Sequence, residues 1–77
     1  MSTIKVLGID LGKSSFHVIG WDGADKQILR KRFTRSALLH FIHQLAPCTI
    51  AFEACGGAHW LGRQCKSAGH QVKLIPP

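Results

Sequence analysis

Residues 49–60, Thr-Ile-Ala-Phe-Glu-Ala-Cys-Gly-Gly-Ala-His-Trp, constrain the fold more than any other stretch. A short apolar run ends in the carboxylate of Glu53. Gly56 and Gly57 follow, and then a helical pattern begins. A buried strand that turns through glycines into a helix is a building unit of α/β proteins, which place their chemistry at the carboxyl ends of strands. A second acid, Asp10, ends a similar apolar run near the N-terminus. What the chain can do depends on whether these two acids meet.

The segments before that stretch decide the topology. Residues 4–10 are mostly apolar and β-branched and predict a buried first strand. Leu11-Gly12-Lys13-Ser14 reads as a turn in which Gly12 is free to take a positive φ. Residues 15–21 predict a second strand, and so short a connection makes the pair an antiparallel hairpin. Asp22-Gly23-Ala24-Asp25 signals another tight turn. Residues 26–33 predict a third strand, rich in Lys and Arg. Its basic side chains have two compatible uses: deterring edge-to-edge pairing, or contacting phosphates.

Thr34 or Ser36 is placed to cap a helix over residues 36–46. Leu38, Phe41, Ile42 and Leu45 give it one apolar stripe, and Pro47 ends it. His40 and His43 lie one turn apart on this helix. With no carboxylate beside them they read as surface residues rather than metal ligands. Residues 48–53 predict a fourth, buried strand. Residues 57–68 predict a second helix with Ala58, Leu61, Cys65 and Ala68 inward and Gly69 as its C-cap. Residues 71–75 predict a fifth strand.

The expected order is therefore β-β-β-α-β-α-β. Helical crossovers make the strands they join parallel. A sheet with the fourth strand beside the first, parallel to it, puts Asp10 and Glu53 at one rim. The fold class is α/β with a mixed sheet, and the order resembles the ribonuclease H-like fold.

Seventy-seven residues make one small domain or part of a larger one. No run approaches the roughly 20 apolar residues that span a bilayer, and the N-terminus lacks the pattern of a secretory leader. The expectation is no membrane association. Three cysteines, Cys48, Cys55 and Cys65, are an odd number and match no zinc-ribbon or CxxC spacing. They predict reduced thiols and a cytoplasmic protein. The net charge of +6 favours a polyanionic partner.

Two carboxylates at one rim repel unless a cation compensates. Mg²⁺ suits them, because it takes one or two protein carboxylates together with water and substrate phosphate. Such a site on a basic domain fits phosphodiester chemistry on nucleic acid. Each acid also has a plain structural use, Asp10 in a turn and Glu53 as an anion before a helix. A nucleophilic Cys55 would need Arg six positions on to close a phosphatase loop. Position 61 is Leu, and Arg63 is eight on. No GxGxxG or GxxxxGK[ST] motif occurs. His59 and Trp60 follow the acid within a turn; Trp60 has a packing use and a base-stacking use, and packing is the favoured one.

Residues 6–18, Val-Leu-Gly-Ile-Asp-Leu-Gly-Lys-Ser-Ser-Phe-His-Val, and 52–63, Phe-Glu-Ala-Cys-Gly-Gly-Ala-His-Trp-Leu-Gly-Arg, resemble the N-terminal domain of DEDD-type insertion-sequence transposases. This is the family of insertion sequence one hundred and ten, which includes the pilin-gene invertases. Residues 68–76 resemble its next segment. The Glu-Ala-Cys-Gly-Gly-Ala-His run is the specific part. The resemblance implies a RuvC-like branch of the ribonuclease H-like fold, with residues 1–77 a truncated part of the catalytic domain. It implies four acids holding Mg²⁺, the first matched by Asp10 and the second by Glu53, with two more and a serine-bearing domain outside this chain. It also implies DNA as substrate, a structured guide RNA and further copies of the chain in a homo-oligomer as partners, and no cleavage by this chain alone. The basic residues Lys13, Arg30, Lys31, Arg32 and Arg35 are the expected nucleic-acid contacts.

Two other readings stay open. Gly8-Ile-Asp-Leu-Gly12 also resembles the first phosphate loop of sugar kinases, actin and the seventy-kilodalton heat-shock ATPases, which share the ribonuclease H-like sheet. A non-catalytic nucleic-acid-binding module is the other.

Overall fold

The computed structural model describes residues 3–76. Seven elements follow in order: β1 (Val6–Leu11), β2 (Phe16–Trp21), β3 (Gln27–Phe33), α1 (Arg35–Gln44), β4 (Thr49–Glu53), α2 (Ala58–Ser67) and β5 (Gln71–Ile75). They build one mixed sheet in the order β3-β2-β1-β4-β5. β1, β2 and β3 form an antiparallel meander. β4 lies parallel to β1, and β5 parallel to β4.

The turns explain the meander. At the first, the Gly12 N–H donates to the Ser15 carbonyl at 3.0 Å. A Cβ on Gly12 would collide with that same carbonyl oxygen. Glycine is thus needed for close approach and not for a positive φ as predicted; among the described residues the glycine with positive φ is Gly69. At the second turn, Asp22 Oδ1 accepts from the backbone N–H groups of Ala24 and Lys26, each at 2.9 Å. The left-handed position falls on Asp25, with φ 61°, and not on Gly23. Asp tolerates that region better than most non-glycine residues.

Thr34 Oγ1 caps α1 by accepting from the Ala37 N–H at 3.3 Å. The helix stops at Gln44, two residues short of the predicted end. Ala46 precedes Pro47, and the residue before a proline is driven out of the α region. α2 ends in a Schellman motif: the Gly69 N–H reaches the Lys66 carbonyl and the His70 N–H the Cys65 carbonyl, both at 3.0 Å.

Both helices contribute to a single core on one face of the sheet. Leu7, Ile9, Val18, Ile50 and Phe52 meet Leu38, Ile42, Leu61 and Cys65 there. The predicted burial of β1 and β4 holds for this face alone. On the other, Val6, Gly8, Thr49 and Ala51 are half-buried and Asp10 and Glu53 exposed. Strand alternation causes this: a sheet covered on one side buries every second residue.

His70 is the buried polar side chain of the described residues. The Cys48 N–H donates to its Nδ1 at 3.1 Å, so Nδ1 carries no proton. Nε2 must then hold the proton and donate to the Ile42 carbonyl at 2.8 Å. One imidazole thus joins the last turn of α1, the entry to β4 and the entry to β5.

Cys65 is fully buried in the core. Burial, with a smaller contribution from nearby Cys48, pushes its thiol from 9.0 to about 11. A raised folded-state value means that the unfolded chain releases this proton first as pH climbs. The stabilising contribution is complete below pH 9 and is lost between pH 9 and about 11. The expected loss is roughly 1–3 kcal/mol. Urea midpoints at pH 8 and pH 10.5 should fall more steeply in the natural chain than in Cys65→Ala. Parallel slopes would refute this account.

Candidate functional site

The two acids meet at one rim. Ile9 of β1 pairs with Phe52 of β4 in parallel register. Asp10 and Glu53 are each one residue further on. Adjacent strands lie about 4.8 Å apart, so the acids are direct neighbours. Their side chains share a face, because Ile9 and Phe52 before them both point into the core. That face is the uncovered one. It holds a shallow depression of about 540 Å³ with Asp10, His17 and Glu53 at its rim end and Ile19, Trp21 and Ala51 on its floor.

Cross-strand pairing extends the rim into a row. Asp10 pairs with His17, and His17 with Arg32. On the other side Glu53 pairs with Ile75. The order Arg32, His17, Asp10, Glu53, Ile75 thus runs from positive to negative to apolar. His17 is exposed and was not among the residues selected from the sequence. The signal was available: once Leu11 and Phe16 close the hairpin, Asp10 and His17 must face each other.

The five predicted basic contacts lie in three places. Strand alternation sends Arg30 and Arg32 to the open face, beside Ile19 and His17. Lys31 goes to the helix side, where its Nζ sits 5.1 Å from the Phe33 ring centre. Arg35 begins α1 and lays its guanidinium 4.2 Å from the Trp60 ring centre. Lys13, in the first turn, lines a cavity of about 490 Å³ together with Arg35 and Trp60. Trp60 is half-buried, so it packs on the core and still offers a ring to Arg35.

As donors, Asp10 and Glu53 are hard oxygen ligands open to solvent, which suits a divalent cation of the Mg²⁺ type. Among the described residues no group of three or more His, Cys, Asp or Glu side chains is placed to hold a metal. Water, substrate phosphate or residues outside this chain would have to complete the shell. His40 and His43 are exposed on α1, and Cys55 is exposed between β4 and α2. No helix among the described residues is long and apolar enough to cross a membrane.

No protein-family model matches the sequence. Over its whole length, however, the chain is similar to insertion-sequence transposases. It is 46% identical over 77 residues to the transposase for insertion sequence element IS1328 of Yersinia enterocolitica, covering 100% of this chain and 23% of that protein. It is 41% identical over 71 residues to a probable family 20 transposase of Pseudomonas aeruginosa, covering 92% and 21%. It is 36% identical over 78 residues to the transposase for insertion sequence element IS1111A of Coxiella burnetii, covering 100% and 21%. The chain therefore spans about a fifth of the length of the curated relatives it matches.

Proposed function

We propose that this chain is part of an insertion-sequence transposase and supplies two acids of its DNA-cleaving centre. The observation that carries the reading is the placement of Asp10 and Glu53 as neighbours on parallel strands, on one face and at one rim. The transposase relatives support the class. The resemblance to the DEDD-type domain supports the finer assignment, a ribonuclease H-like fold of the RuvC type, with Asp10 and Glu53 first and second of four acids.

In this reading Asp10 and Glu53 would hold Mg²⁺. A bound Mg²⁺ would stabilise negative charge on the oxygens of the scissile phosphodiester. The chain's own residues do the rest. Arg32 and Arg30, on the same face as the acids, attract the backbone and orient it along the row. His17, between Arg32 and Asp10, faces the same strand of DNA. A guide RNA and an oligomeric assembly belong to the same proposal and concern the complete protein.

Manganese tests the acid pair directly. Mn²⁺ added to the ¹⁵N-labelled chain should broaden the amide signals of residues 9–11 and 52–54 first. Mg²⁺ should reverse the effect by competition, and Asp10→Asn should remove it. Uniform broadening across the chain would count against the site. The purified chain itself is expected not to cut DNA. Mg²⁺-dependent cleavage lost in Asp10→Ala would show that two acids suffice.

A further inference from the structure

The cavity between the first turn and α2 lies on the helix side of the rim that carries the acids. Leu11, directly after Asp10, points into it from β1, and Cys55, two residues after Glu53, borders it. Lys13 and Arg35 supply two cations, Ser14 a hydroxyl, and none of the lining residues is acidic. These groups come from the end of β1, the first turn, the start of α1 and the segment between β4 and α2.

Arg35 is held at the cavity by Trp60. Its guanidinium carbon lies over the Trp60 ring, 4.2 Å from the ring centre. A guanidinium held over a ring face can still turn its N–H edge to a phosphate and bind it through two hydrogen bonds. Its position also runs against local preference. Arg35 is the first residue of α1, whose first turn carries no acid, although the positive end of a helix favours acids and repels cations. The helix dipole of α1 therefore does not favour the charge; its contact with Trp60 does, and so would an anion in the cavity.

We infer that this cavity seats a backbone phosphate of a nucleic-acid strand that crosses the rim next to the acid pair. The inference rests on the proposed DNA-cleaving role. The acids open onto one face of the sheet and the cavity onto the other, so a strand engaging both bends over the rim. Such a bend requires an unpaired or locally opened strand, because duplex DNA is stiff on this scale. The ligand class is thus single-stranded nucleic acid, held by phosphate contacts with no base reading.

The test uses the full 77-residue chain, a fluorescently labelled single-stranded oligonucleotide and EDTA to exclude divalent cations. Lys13→Glu and Arg35→Gln should each weaken binding roughly tenfold at 0.1 M salt. Each should also lower the slope of log K against log salt by about 0.7. In a Trp21→Phe background the oligonucleotide should change Trp60 emission. Lys13 is exposed on a turn, so its variant separates binding from folding, and a thermal melt of each variant checks this. Unchanged affinity and slope in folded variants would overturn the inference. So would a Trp60 response to ATP or inorganic phosphate that the oligonucleotide does not produce, since the seat would then serve free phosphate. Failure of Mn²⁺ to bind Asp10 and Glu53 alongside an intact Trp60 response would instead count against the cleaving role alone.

Discussion

His70→Ala is expected to destabilise this domain by about 3–4 kcal/mol, a large part of the roughly 4–11 kcal/mol that a chain of this size holds in reserve. The imidazole accepts from the Cys48 N–H and donates to the Ile42 carbonyl, and it is only 5% exposed. Truncation leaves the buried Ile42 carbonyl and the half-buried Cys48 N–H without their partner. Each unpaired group costs about 1–3 kcal/mol, more than the bond itself contributes in net terms. A cavity where the ring stood adds to the loss. The damage should spread beyond the site, because the ring holds together the end of α1 and the parallel entries of β4 and β5. Urea titration followed by circular dichroism measures it. His70→Phe fills the volume without restoring either bond, so it should recover only a minor share. A loss below about 1 kcal/mol in His70→Ala would mean that water replaces the imidazole and that it is no staple.

The second large effect concerns chemistry. In a transposase that carries this domain whole, Asp10→Asn and Glu53→Gln should each lower Mg²⁺-dependent strand cleavage by a factor of roughly 10³ or more. Both substitutions keep the side-chain shape and remove the charge. Losing charge stabilisation worth several kcal/mol at the reacting phosphate corresponds to that factor. Stability should barely change, because both side chains are exposed. This separates a catalytic role from the plain structural uses of a turn Asp and a helix-flanking Glu, which would move stability and leave cleavage within tenfold. Oligonucleotide binding in EDTA should survive both substitutions. If cleavage persists in Asp10→Asn, the acid pair is not the centre of the reaction.

The basic residues show where sequence reading stops. Arg30, Lys31 and Arg32 are consecutive, and all three are expected from the sequence to contact phosphates together. Alternation divides them, with the two arginines on the acid face and Lys31 over Phe33. The alternation itself was legible once the segment was taken as a strand. Which face held the acids was not, because that depends on both helices packing on the other side. Lys13 and Arg35 are 22 positions apart and share a cavity only because the first turn and the start of α1 both end near α2. The turns were legible as turns, but their chemistry was misassigned. Gly12 is set by the closeness of the Ser15 carbonyl, and the left-handed residue is Asp25. Such details follow from distances between atoms, which residue types do not specify.

By itself the sequence determined the seven elements, their approximate bounds and the acids at the carboxyl ends of two of the strands, Asp10 one residue before the end of β1 and Glu53 at the end of β4. Short-range physics governs these: apolar periodicity, capping by Thr34 and Gly69, and loops too short for anything but hairpins. The tertiary structure alone decided that Asp10 and Glu53 face the same uncovered side, that His17 and Arg32 continue their row, and that Arg35 rests on Trp60. It also decided the role of His70, an ordinary polar residue in sequence and the buried link between three elements in space. The reason is the same in each case. A side chain's partners are fixed by which face of the sheet the helices cover, and that choice is made by the packing of the whole core at once.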